Sequence, residues 1–356
     1  MTTLSAAELQ QKIKNGEAII ELALDGLDLQ GCDLSGGMFQ EVSFTGANLR
    51  GAKLHETLFT ECTMNQVDLS GAHLEQTVFN QCELDNIHVR ETTLKECVFN
   101  QCALSGSDFS HSVLLSTQFM NSTLNDSHFT QVQLDRSVFF ESPLEKAVLS
   151  GCQSLMATFY GIDLRTTSLD NGTFERTVFF NCDQRGKNYS QQQFVGCQFT
   201  DCQLEGARFE GAQLPQCNFK GATLQGAQLQ RVNASQALFM EADLSEAQCQ
   251  NSVFDQAIFV GATLQQADFS HSRLFQCIFQ QANATGARFI QSDLTYSDFS
   301  GADLRLADLR GATFSRTRLH RARQDNALFS GRQGILEYDE ELLAAEAWSA
   351  QRQSRI

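Results

Sequence analysis

The chain has 356 residues, 26 basic against 42 acidic, for a formal charge of −16. That balance argues against a general nucleic-acid binder, which needs a basic footprint. No apolar run reaches membrane-spanning length and Met1 to Gly16 holds no signal-peptide apolar segment, so a cytoplasmic protein with no membrane partner is expected. With only 2 prolines and 24 glycines, a disordered or collagen-like chain is excluded too.

Residues 1–20 predict a capping helix. Ser5 and Glu8 are spaced as a capping box, Leu4 and Leu9 as a hydrophobic staple, and Gly16 suits the stop. Leu9 and Ile13 share one face, which would cover the lower end of whatever follows.

From about Leu22 a five-residue unit takes over, with Leu or Phe at nearly every position ending in 4 or 9 as far as Phe329. Within it lies a longer period. Every twentieth residue from Phe39 to Phe299 is Phe, as expected when one coil of a solenoid stacks on the next. Eleven of the twelve cysteines lie two residues before the Leu/Phe place, and Cys249 lies on it. Elsewhere the place two residues before is mostly Ala, Ser, Thr or Val, so cysteine reads as a small buried residue. It does not read as a metal ligand or disulfide partner, in keeping with a reducing compartment.

The clearest units are Ala302-Asp303-Leu304-Arg305-Leu306 and Ala307-Asp308-Leu309-Arg310-Gly311, with Ala47-Asn48-Leu49-Arg50-Gly51 near the start. The pattern resembles the pentapeptide-repeat family over about 62 units in frame. The resemblance implies an all-β solenoid over residues 21–330: a right-handed quadrilateral β-helix of about 15 coils, four pentapeptides each, with short terminal helices. Gly at unit ends, as at Gly31 and Gly51, suits corners of positive φ.

Some units depart from the pattern. Ser154 and Gln184 take Leu/Phe places, and Lys187 and Gln192 take small-residue places. Polar groups left unpaired in a core are costly, so a bulged-out loop or kink is expected near 183–193 and a milder distortion at 153–156. Residues 331–356 predict a loop and then a helix capped by Asp339. Leu343, Ala344, Ala347 and Trp348 would form its apolar face, either to cap the upper end or to dock a partner.

Catalysis needs converging polar groups, and none is apparent. All seven histidines fall at outward positions, and no phosphate loop, zinc signature or nucleophile elbow is present. No enzyme activity, cofactor, metal or small-molecule substrate is expected. One outward side stands out instead. Beside the inward Phe row lie Met120, Val138, Phe140, Tyr160, Val178 and Phe180, and further on Leu238, Met240, Ile258, Val260 and Ile278. Outward apolar clusters of this size mark interaction sites, although a flat strand surface alone would also select some of the valines. A second candidate is a basic tip of Arg305, Arg310, Arg316, Arg318, Arg321 and Arg323, a docking point for an acidic partner if it is not merely a solvated end.

Together these features predict a non-enzymatic scaffold or adaptor that binds a protein partner or a second copy through the apolar face. The chain also looks like longer pentapeptide-repeat proteins encoded beside bacterial type VI secretion components, where an adaptor would fit. Other members resemble B-form DNA in size and charge and bind DNA gyrase; the acidic balance agrees with that alternative, and the arginine-rich end and apolar side disagree. A secreted effector, exported without a cleavable signal, is a third reading.

Overall fold

A computed structural model describes residues 4–353. Helix α1, Ala6–Lys14, starts as its sequence dictates: the Glu8 amide donates to Ser5 Oγ and the Ser5 amide donates to Glu8 Oε2, at 3.3 and 2.9 Å. Leu9 and Ile13 are buried, and Gly16 takes the left-handed conformation (φ 74°) that ends the helix.

The rest is a parallel β-solenoid, divided between two compact units, Met1–Asp183 and Gln184–Ile356. In the first unit one side is a nine-stranded parallel sheet running from Ile19–Ile20 and Met38–Gln40 to Thr158–Tyr160 and Val178–Phe180. Its strands pair twenty residues apart, Phe39 with Phe59 and so on to Phe159 with Phe179. A second side stacks strands Leu74–Glu75, Thr93–Lys95, Val113–Leu115, Gln133–Asp135, Gln153–Leu155 and Thr173–Glu175. The inward phenylalanines stack with centroids 4.8 to 5.2 Å apart from Phe39 to Phe179, close to the spacing of hydrogen-bonded strands. The ring spacing therefore matches the backbone repeat, and the rings stay in contact from coil to coil.

In the second unit most coils are joined by single bridges such as Leu238↔Ile258 and Ile258↔Ile278, and the Phe199–Phe299 rings stack in the same way. The difference follows the small inward residue. Here it is mostly Ala, and its amide closes a tight turn, as Ala207 does onto the Leu204 carbonyl at 3.0 Å. At the strand ends of the first unit it is often Cys, Ser or Thr, whose thiol or hydroxyl donates to a carbonyl of the coil below. Thr77 Oγ1 reaches the Leu54 carbonyl at 2.7 Å and Ser137 Oγ that of Leu114 at 3.1 Å. Each such buried polar group is thereby satisfied.

Positive φ recurs at the corners, but glycine supplies only some of them. Glu, Gln and Asn fill many others, for example Glu56 at 53° and Gln236 at 60°.

The expected loop and distortion do not form. Ser154 lies within the regular strand Gln153–Leu155, buried, with its hydroxyl 2.8 Å from Thr177 Oγ1. Across 184–193 the coil keeps its register. Gln184 and Tyr189 are fully buried, and the Tyr189 hydroxyl donates to Gln184 Oε1. Lys187 and Gln192 are only half-buried. Pairing inside the core removes the penalty that would have expelled the segment.

At the far end, pairing continues past residue 330: Thr317–Arg318 lies beside Ile335–Leu336. Asp339 caps helix α2, Glu340–Gln353, by accepting from the Leu342 amide at 3.0 Å. The expected apolar face is not buried; Leu343 is 37% and Trp348 59% exposed. Polar contacts hold the helix instead. The Asp339 amide donates to His320 Nδ1 at 3.1 Å, Glu346 pairs with Arg321, and Arg318 approaches Asp339 at 3.8 Å. His320 is consequently buried, a correction to the expectation that every histidine faces outward. Its position does point out of the coil, but α2 folds over it.

Candidate interaction face

The outward side chains of the nine-stranded sheet alternate with the buried Phe row, as strand geometry requires. Phe140, Tyr160 and Phe180 form a continuous ladder, with ring centroids 4.7 and 5.4 Å apart and planes within 13° of parallel. Met120 is in register directly below Phe140, and Val138, Thr158 and Val178 make the parallel row. All are half-buried, since each coil covers part of its neighbour. Rings stacked along the coil axis present their edges outward, so the ladder is an apolar ridge. Leu155 and Met156, 39% and 41% exposed, extend it onto the adjoining corner. The sequence reading missed both, because they stand at a strand end and a corner outside the Phe-flanking rows.

In the second unit Leu238, Ile258 and Ile278 form one bridged row, beside Met240 and Val260, again half-buried. This patch is aliphatic and has no aromatic ladder.

The six arginines of the basic tip are engaged. Arg305 and Arg310 each pair with the aspartate two residues upstream, Asp303 and Asp308, at 2.6 Å. Those guanidiniums hold both carboxyls below the usual range. Arg323 reaches Asp303 at 3.4 Å, Arg318 lies 3.9 Å from Asp298, Arg321 pairs with Glu346, and Arg316 lies over the Tyr296 ring. The tip is a lattice of internal ion pairs in which most of the positive charge is already answered.

Among the described residues, no group of three or more His, Cys, Asp or Glu could hold a metal ion, and no helix is long and apolar enough to cross a membrane. A surface cleft of about 390 Å³ lies beside Pro143, lined by Glu141, Leu144, Ile162 and Arg165 among others. Pro143 has no amide proton to give the ladder, and bridges Ala103↔Thr123 and Asp163↔Asp183 stop on either side of it.

Comparison with protein families gives the same repeat. Residues 20–89 and 72–149 match the model described as a pentapeptide repeat region, and residues 197–236, 237–276 and 273–311 match that of pentapeptide repeats in eight copies. The chain belongs to the pentapeptide-repeat family. Two solved members are similar to it. One is HetL, involved in heterocyst differentiation regulation in the cyanobacterium Nostoc: 20% identity over 73% of this chain and 97% of its own, TM-score 0.25. The other is QnrB1 in a trypsin-treated form, a plasmid-mediated fluoroquinolone resistance protein: 22% identity over 52% and 92%, TM-score 0.32. No curated protein matches the chain.

The pentapeptide-repeat coil also explains the cysteines. All twelve are free, and all but Cys32 are buried. Burial pushes the Cys97 and Cys152 thiols up to about 12, while the Cys82 thiol, hydrogen-bonded to Cys102, pulls Cys102 the other way. Cys102 is nevertheless only 3% exposed. Thiolate fraction and access both limit reactivity. Burial and the nearby Asp28 raise the Cys32 thiol as well, but it alone is partly exposed, so a chromogenic disulfide reagent at pH 8 should titrate Cys32 ahead of the other thiols in the folded protein and all twelve only in denaturant. Rapid release of several thiols without denaturant would contradict this packing.

Proposed function

We propose that this pentapeptide-repeat chain is a non-enzymatic protein-interaction scaffold that engages its partner through the outward face of the nine-stranded sheet. The observation that carries the reading is the Met120–Phe140–Tyr160–Phe180 ladder. Three aromatic rings and a methionine line a flat outward face whose core is completed without them, and aromatic and methionine side chains are the types that form interface centres. The aliphatic row Leu238–Ile258–Ile278 is a secondary surface for the same role. An adaptor in the cytoplasm, including one serving a type VI secretion apparatus, is the form of scaffold this reading favours.

The formal charge of −16 favours one second reading, an acidic DNA mimic that binds gyrase. Two assays separate the readings. Immobilised wild-type chain should retain proteins from a cell lysate that the Phe140→Asp and Phe180→Asp variants lose, and gyrase supercoiling should be unaffected by a micromolar excess of the chain. Retention of the same proteins by wild type and both variants would overturn the scaffold face. Inhibition of supercoiling would transfer the assignment to the mimic.

A further inference from the structure

The two rims of the nine-stranded sheet carry charge in an order that a second copy of the chain completes. The corner residue before each strand is left-handed and exposed, with φ of 53°, 54°, 51° and 49° at Glu56, Glu96, Arg136 and Arg176. In coil order this rim reads Glu56, Gln76, Glu96, Ser116, Arg136, Met156, Arg176. Position by position the charges mirror about Ser116 and reverse in sign.

We infer that the face pairs with a second copy of itself, antiparallel, about a two-fold axis parallel to the strands at the height of Ser116. This inference rests on the scaffold reading above and names the partner. The rotation keeps each rim on its own side and reverses the order of coils. Glu56 then faces the partner's Arg176, and Glu96 faces the partner's Arg136, each contact occurring twice. The opposite rim agrees. From Glu61 to Asn181, Glu61 meets the partner's Asn181 and Glu141 meets the partner's Gln101, carboxylate against amide, with no like charges opposed over these coils. On the face itself Phe140 lies opposite the partner's Asn100 and Tyr160 opposite the partner's Asn80. The bulky half of one copy thus covers the narrow half of the other. Sheets pack about 10 Å apart, a gap that rim Glu and Arg side chains span.

Two other arrangements fail on charge. A parallel pair sets Glu56 against the partner's Glu61. Moving the axis up or down by one coil sets Arg136 or Glu96 against its own copy. An isologous interface must be self-complementary, and across these seven coils this register is. Rim ion pairs fix register and encounter, while Met120 meets its own copy at the axis and the Phe140 and Tyr160 rings lie over the partner's asparagines on either side of it. Arg136 at present pairs with Asp135 on the adjoining side, and Glu96 accepts from Gln76, so both exchange an exposed contact for one across the rim.

Light scattering across a concentration series tests the pairing. Wild type should reach about twice the 39.5 kDa chain mass. One chain carrying Glu56→Arg with Glu96→Arg, and another carrying Arg136→Glu with Arg176→Glu, should each run as monomers with unchanged circular dichroism. Mixed in equal amounts they should recover the dimer mass, because every facing rim pair is then opposite in sign. A wild type that stays monomeric throughout overturns the self-pairing and leaves the scaffold face to the retention assay. A dimer that Phe140→Asp abolishes but neither charge set affects overturns the antiparallel register alone. A dimer that survives Phe140→Asp places self-association on another surface and overturns the inference.

Discussion

Phe139→Asp is expected to unfold the coils around it, whereas Phe140→Asp, one residue on, leaves the β signature intact. Phe139 is fully buried, stacked 4.9 Å from both Phe119 and Phe159 and edge-on to Phe129 at 5.9 Å. Truncating a buried Phe costs about 3–5 kcal/mol. An unpaired carboxylate there adds several more, or must be protonated to stay. A typical domain has only about 5–15 kcal/mol to lose. Stability in a solenoid is shared mainly between neighbouring repeats, so the damage should concentrate in the coils next to residue 139. Phe140 is half-buried and loses only its stacking on Tyr160 and some apolar area, worth about 1 kcal/mol. Hydrogen exchange resolved by coil, with thermal melts, reads both. Equal loss of protection from the two variants would mean that the inward and outward rows are misassigned.

The same alternation explains what was legible in the sequence. A Phe every twenty residues fixes coil length, side count and inward row at once, because a single slip would turn every later Phe to solvent. The capping box of α1 is local and equally readable. What escaped involves partners distant in the sequence or elements laid on later. His320 occupies an outward place and is buried only because α2 lies over it. The tip arginines look like a free basic patch in a charge count, yet Arg305 and Arg310 close onto aspartates two residues upstream, and Arg323 onto one in the coil below. Corner glycines were readable as left-handed positions. Glu56 and Arg136 adopt the same φ without a Gly signal, since the coil imposes it, and the rim order they define has meaning only once outward directions are known.

The polar units around residue 184 show the limit of reading positions one at a time. Gln184 and Tyr189 are two departures from the repeat, each costly alone, that satisfy each other within the core: the Tyr189 hydroxyl donates to Gln184 Oε1, and Gln184 Nε2 lies 3.6 Å from Cys202 Sγ. Their coupling has a measurable consequence. Tyr189→Phe deprives the buried Gln184 oxygen of its hydroxyl donor and is expected to lower stability by about 1–3 kcal/mol. Replacing both, Gln184→Leu with Tyr189→Phe, restores the Leu and Phe of the standard unit and removes the need for the bond. That double variant should recover most of the loss, or exceed wild type, because exchanging both partners of a buried pair for apolar groups of similar shape is close to neutral. Urea midpoints at constant slope give the four corners of the cycle. A large coupling energy is the expected result. Additive losses would mean that the two side chains do not depend on each other, and that some other interaction keeps residues 183–193 in the coil.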